Sequence, residues 1–242
     1  MLQKGIMDTF SFSRLNLYET CPYRFYRRYV EGYEEPITYP LALGSGVHKA
    51  IESKMNGAPH EQAVLNGLIE ANFHEEVTKK ELSNLTWNAP IQGDNAIRGQ
   101  TEVYFKLPLS DEADAPKIQG YIDVVGNGYI VDWKTNRVPY DVRKNQQIAL
   151  YAWAMSRVRG FQRVHGSLYF LRFRRESGYH FTLQEMEGAR SWAYSLSKAI
   201  QGKLQTLEAM PELKDELFPA QPSSFCSHCP FSVECVRKFK GA

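Results

Sequence analysis

The chain has 242 residues, 43% of them apolar, which is enough for a sizeable core and fits one large α/β domain. Its 29 basic side chains exceed its 27 acidic ones by only two, so global charge does not mark a nucleic-acid binder and any such surface must be a local patch. No apolar run is long enough to span a bilayer and no leader pattern opens the chain, so a cytoplasmic protein that avoids membranes is expected.

In chain order, Ser11 or Ser13 caps a first helix. A second begins at Cys21, with Pro22 in its first turn where a missing N–H is harmless. Residues 34–43 read as a loop. A helix follows from Gly44-Ser45-Gly46 through His48, Ile51 and Met55. Residues 60–80 carry a helical period through Ala63, Leu65, Leu68, Ile69, Phe73 and Val77. Residues 83–100 favour neither helix nor strand. A β region then opens, with strands over 101–107, 118–125 and 129–134, the last two joined by a tight turn at Gly126-Asn127-Gly128. A helix over 141–157, strands over 164–173 and 179–183, and a long helix over 185–210 complete the core. The tail from Pro219 reads as a loop.

Asp123 and Asp132 fall on the two strands of one hairpin, which brings both carboxylates together at one end of the sheet. Lys134 is two residues past Asp132, so period-two alternation puts both side chains on one face. Two facing carboxylates repel unless a cation lies between them, and hard cations such as Mg²⁺ or Mn²⁺ prefer oxygen ligands. A lysine beside such a metal can orient a water, or help deprotonate it, for in-line attack on phosphorus. The apolar neighbours Ile122, Val124, Val125, Ile130 and Val131 indicate a buried sheet, and charge at the end of a buried strand needs a reason.

The order Gly44-x-x-x-His48, Gly120-x-Ile122-Asp123, Asp132-Trp133-Lys134-Thr135 and Gln147-x-x-x-Tyr151 resembles the RecB-like branch of the PD-(D/E)XK nuclease superfamily over most of the chain. The resemblance implies an α/β, restriction-endonuclease-like core, a central mixed β-sheet flanked by helices, as one domain over residues 1–242. It implies that His48, Asp123, Asp132 and the Trp133 carbonyl ligate the metal. Lys134 would serve the nucleophilic water, and Gln147 and Tyr151 would brace the centre or contact DNA. Glu102 matches an acidic position on the preceding strand.

Cys226-x-x-Cys229 and Cys235 supply three soft ligands near the finish, and Cys21 a fourth near the start. In a reducing compartment they read as metal ligands or free thiols rather than disulfides. Four thiolates suit zinc or an iron–sulfur cluster, and His228 offers a substitute ligand in a zinc site. The one-plus-three arrangement resembles AddB-type helicase-nuclease subunits and the iron–sulfur nucleases of CRISPR adaptation. That resemblance implies a 4Fe–4S cluster clasping the N- and C-terminal segments. Arg24, Arg27 and Arg28, interleaved with Tyr23, Phe25, Tyr26 and Tyr29, are a candidate single-strand surface, and Arg172, Arg174 and Arg175 a second.

The expected activity is a metal-dependent exonuclease on single-stranded DNA ends. No Gly-x-x-x-x-Gly-Lys-Ser/Thr loop is present, so any unwinding would come from a helicase partner. A spacer-trimming nuclease working with integrase partners, a non-catalytic DNA-binding module and a zinc-clasped interaction domain are the alternatives.

Overall fold

The computed structural model describes residues 8–239; residues 1–7 and 240–242 of the expected domain lie outside them. In chain order the elements are β1 (Thr9–Ser11), α1 (Phe12–Thr20), α2 (Pro22–Phe25), α3 (Tyr39–Met55), α4 (His60–Glu70), α5 (Lys79–Trp87), β2 (Gln100–Pro108), β3 (Lys117–Val125), β4 (Tyr129–Lys134), α6 (Gln146–Arg159), β5 (Val164–Phe170), β6 (Arg175–Phe181), α7 (Leu183–Ala209), α8 (Lys214–Leu217) and α9 (Ser232–Phe239). A π-helical turn over Tyr26–Val30 continues α2. The fold is α/β with a mixed sheet. β3 is antiparallel to β4, β4 parallel to β5, and β5 antiparallel to β6, while β1 lies parallel to β3 and β2 also pairs with β3.

The chain's contacts gather into two compact units, each built from separate stretches. One comprises Ile37–Phe105 and Tyr121–Arg190. Its core joins Leu43, Val47 and Ile51 of α3 with Val124, Val131 and Trp133 of the sheet. α3 crosses α4 backbone to backbone: a Cβ at Gly46 would stand 2.7 Å from the Gly67 carbonyl oxygen, and one at Gly67 would collide with that of Gly46. Only glycine fits at both positions, and the close crossing fixes how far along its axis α3 presents His48. α6 packs on β4 and β5. It seats close because β5 has a glycine beneath it, since a Cβ at Gly166 would stand 2.5 Å from Ile148 Cγ2. Asn145 caps α6 by accepting from the Gln147 N–H at 2.8 Å, and Gly160, at φ 72°, ends it in the left-handed conformation.

Sequence expectations shift at four points in this unit. α3 starts at Tyr39 rather than Gly44, because Pro40 in its first turn needs no N–H partner. The period over 60–80 is not one helix: Asn72 and Phe73 adopt positive φ and end α4, and α5 begins afresh after the Thr78 cap. Of the expected stripe, Ala63 and Val77 are buried and Leu68 packs on the core, while Leu65, Ile69 and Phe73 are exposed; Val64 and Gly67 complete the buried face of α4. The sixth strand begins at Arg175, four residues before the expected one.

The other unit comprises residues up to Pro36, Lys106–Gly120 and Ser191 onward. Phe218 is fully buried among the rings of Tyr18, Phe25 and Tyr26, with centroids 5.1–6.4 Å away. Stripping such a ring to alanine costs about 3–5 kcal/mol. N-terminal and C-terminal segments of the described residues meet here: the Tyr23 N–H donates to the Pro219 carbonyl at 3.1 Å, and the Tyr23 hydroxyl and the Arg27 guanidinium both donate to Glu234 at 2.9 Å. Arg24 forms a two-point pair with Glu35 at 2.8 Å, Arg27 also pairs with Glu31, and Arg28 with Glu35. The first expected single-strand surface is therefore an internal ion-pair network. Tyr23, Phe25 and Tyr26 are buried, so aromatic and basic side chains alternate here because one set builds the core and the other neutralises acids. The tail is not all loop, since Cys226 lies in a 3-10 turn and Cys235 in α9.

Candidate active site

β4 reads Tyr-Ile-Val-Asp-Trp-Lys. Val131 and Trp133 enter the core shared with α3, so alternation turns Asp132 and Lys134 to the opposite face. There the Lys134 Nζ stands 2.6 Å from Asp132 Oδ2, with Asp132 only 3% exposed. Lys134 also donates to Gln147 Oε1 at 3.3 Å, and Gln147 Nε2 donates to the Tyr151 hydroxyl at 3.2 Å. One helical turn separates Gln147 from Tyr151, so α6 holds the amide nitrogen and leaves the amide oxygen facing the lysine. The ring of Phe105 packs edge-on against Tyr151 at 5.5 Å.

Asp123 lies one step beyond the Val124–Val131 pair of the β3–β4 hairpin, which sets it opposite Asp132. Its Oδ2 accepts the Trp133 N–H at 2.7 Å, and its Oδ1 lies 3.2 Å from His48 Nδ1. The other ring nitrogen of His48 lies 2.7 Å from the Trp133 carbonyl oxygen. Both nitrogens thus face acceptors, an arrangement that favours the doubly protonated imidazolium.

The electrostatics follow the geometry. Burial works against a charged His48, but Asp123 and then Asp132 outweigh it and lift its pKa to about 9. Burial, reinforced by Asp123, raises Glu102 to about 7. Burial also raises Asp132, against the pull of Lys134. Lys134 itself is raised, because the attraction of Asp132 exceeds its own burial penalty.

His48, Glu102 and Asp123 each offer one ligand atom within 4.8 Å of the others, and theirs is the one such trio of histidine, cysteine or acidic groups among the described residues. Glu102 reaches it from β2 with φ 48°, a left-handed conformation that is rare for a non-glycine residue inside a strand. A nitrogen with two carboxylates suits Mn²⁺ or Mg²⁺, so the donor set fits the expected cation. An open cleft of about 420 Å³ lies beside the trio, walled also by Ser45, Lys49, Glu52 and Glu70. Asp132 stands next to the trio rather than in it, and the Trp133 carbonyl faces His48. The structure thus brings together His48, Asp123, Asp132, Trp133, Lys134, Gln147 and Tyr151. Glu102, matched in the sequence to an acidic position on the preceding strand, joins them as the third member of the trio.

The second expected basic patch is mostly engaged: Arg172 pairs with Glu81 at 2.7 Å and donates to the Thr135 carbonyl, and Arg174 donates to Asn88. The cysteines are described wholly within the other unit. No three of their sulfurs come within 4.8 Å of one another among the described residues. Their neighbourhood is nonetheless shared. The Cys235 thiol is pushed up by burial and then by Cys21, Cys229 and Cys226, and Arg24 senses both Cys229 and Cys21. Among the described residues no helix is long and apolar enough to cross a membrane.

No curated protein matches the chain. A solved structure titled "Crystal structure of SSO0001" aligns over 99% of this chain and 98% of its own, at 15% identity and a TM-score of 0.35, a likeness too weak to bear on fold or function. Residues 9–236 match the PD-(D/E)XK nuclease superfamily. With that match over nearly the whole chain, and its acids and lysine gathered on one hairpin, the chain belongs to the PD-(D/E)XK nuclease superfamily, which implies metal-dependent cleavage of DNA.

Proposed function

We propose that this chain is a metal-dependent exonuclease hydrolysing phosphodiester bonds at single-stranded DNA ends, in recombination, repair or phage DNA processing. The observation that carries the reading is the convergence of His48, Glu102 and Asp123 beside the Asp132–Lys134 pair, at the edge of an open cleft. In this reading His48, Asp123, Asp132 and the Trp133 carbonyl hold Mg²⁺ or Mn²⁺, and Glu102 joins them. The cation would neutralise the phosphate and lower the pKa of the attacking water. Lys134 enters as an ammonium, because Asp132 keeps it protonated. Its role is then to hold the water or phosphate by donated hydrogen bonds and to balance developing charge, rather than to act as a base. Gln147 fixes the direction of that ammonium, and Tyr151 fixes Gln147. A non-catalytic module on the same fold would have no use for a buried lysine aimed at the acids.

One domain over the whole chain is the accompanying proposal, supported by the single family match that runs through both units. The cysteines are proposed as ligands of a 4Fe–4S cluster clasping the two ends. The support is their shared neighbourhood: besides burial, Cys21, Cys229 and Cys226 each push up the Cys235 thiol. The N-terminal and C-terminal segments already meet through Glu234, so such a cluster would reinforce an existing junction.

The test is incubation of the purified protein with single- and double-stranded DNA labelled at either end, with Mg²⁺, Mn²⁺ or EDTA. Metal-dependent release of nucleotides from single-stranded ends is expected. Cleavage in EDTA would refute the metal assignment, internal cuts alone would refute the exonuclease, and no cleavage with either metal would refute both.

A further inference from the structure

Two large rings stand exposed next to the acidic pair. Tyr121 is 58% exposed and Tyr104 49%, and their centroids lie 5.1 Å apart at 47°. Both belong to the unit that holds the candidate metal ligands. Tyr104 lies two residues past Glu102 on β2, and Tyr121 two residues before Asp123 on β3. Glu102 meets Asp123, and Tyr104 meets Tyr121. The two pairs step in opposite directions along their strands, so β2 and β3 run antiparallel here and the pairs are alternate rungs of one ladder. The Leu109 N–H to Pro116 carbonyl bond at the turn keeps the same register.

Alternation along β3 sets Tyr121 and Asp123 on one side of the strand. Two residues of strand span about 7 Å, close to the phosphate repeat of an extended single strand. A nucleotide whose phosphate lies at the trio therefore has its base, or that of its neighbour, at the height of the tyrosines. Half-exposed rings at this height lose water-accessible apolar surface when a base covers them. A base paired within a duplex keeps its faces stacked on its neighbours and has none to offer.

We propose that Tyr104 and Tyr121 form a stacking platform for an unpaired nucleobase of single-stranded DNA, next to the phosphate that is cleaved. The inference rests on the nuclease reading for the identity of the ligand, but its test does not depend on cleavage. The platform explains in physical terms why a single-stranded end would be preferred, and it reads no sequence, because every base has a stacking face.

The experiment uses the full chain in EDTA, so that DNA is bound but not cut, with a single-stranded oligonucleotide carrying 2-aminopurine near its end. Stacking on the tyrosines should quench the 2-aminopurine fluorescence. Tyr121→Ala and Tyr104→Ala should each remove most of the quench and weaken binding roughly 10-fold, the usual scale for one lost stacked base. Tyr121→Phe and Tyr104→Phe, which keep the ring and drop the hydroxyl, should retain both. An oligonucleotide abasic at the probe position should bind wild type and the alanine variants equally. Unchanged quench and affinity in the alanine variants, or loss of both in the phenylalanine variants, would overturn the platform. A wild-type protein that quenches but cuts nothing with Mn²⁺ would sink the nuclease reading and leave the platform standing.

Discussion

Loading the trio with a divalent cation should expel protons, and their number follows from the geometry. His48 is held as an imidazolium up to about pH 9 by Asp123 and the Trp133 carbonyl. Glu102 is buried against Asp123 and keeps its proton up to about pH 7. A metal takes a neutral imidazole and an ionised carboxylate, so it competes with both protons. At pH 7 nearly every His48 and about half of the Glu102 groups are protonated, so binding one cation releases about 1.5 protons. By linkage the apparent association constant then rises about 30-fold per pH unit near neutrality. The slope approaches two below pH 6 and vanishes above pH 10, roughly one unit beyond the higher pKa. Without metal the sign reverses. The raised His48 stabilises the fold fully below about 6.5 and that contribution is lost as pH rises through about 9, while ionising Glu102 penalises the fold as pH passes from about 4.5 through about 7. The assay is calorimetric titration of Mn²⁺ at pH 7 in buffers of different ionisation enthalpy, where the slope of heat against buffer enthalpy counts the protons. Glu102→Gln should lower the count by about 0.5 and His48→Gln by about 1. Binding with no proton release, at an affinity independent of pH, would refute the assignment of these two residues as ligands.

Three further outcomes are expected. Lys134→Ala strands the Asp132 carboxylate, 3% exposed, without its counter-ion, so it should abolish cleavage and lower stability by about 3 kcal/mol near neutrality, a loss that shrinks as acid protonates Asp132; urea unfolding at pH 5 and pH 8 measures it, and equal losses would count against the pair. Gly166→Ala should destabilise by about 1–3 kcal/mol, because its Cβ meets Ile148 and Phe181, and should slow cleavage by lifting α6 and with it Gln147; thermal melting and single-turnover rates check this, and an unshifted melt would show that the helix yields freely. Protein purified without oxygen should be brown, with roughly four irons per chain, and Cys21→Ser should lose the colour and melt lower; colourless protein with stoichiometric zinc would replace the cluster by zinc, and metal-free protein of full stability would remove the clasp.

The sequence by itself determined the hairpin and what it carries. Period-two alternation is a local rule, so Asp132 and Lys134 had to share a face, and glycines at 126 and 128 had to turn the chain where they do. Helical spacing likewise set Gln147 and Tyr151 on one side of α6. Other features depend on pairing between distant segments, which no local period encodes. The left-handed Glu102 joins His48 and Asp123 only because β2 takes one register against β3. The buried face of α4 is the one that meets Gly46, not the most apolar stripe. Arg24, Arg27 and Arg28 look free for phosphate in the sequence, yet the folded chain sets Glu31, Glu35 and Glu234 against them. A charge's partner is decided by which groups tertiary packing removes from water together, and sequence order carries only the local part of that information.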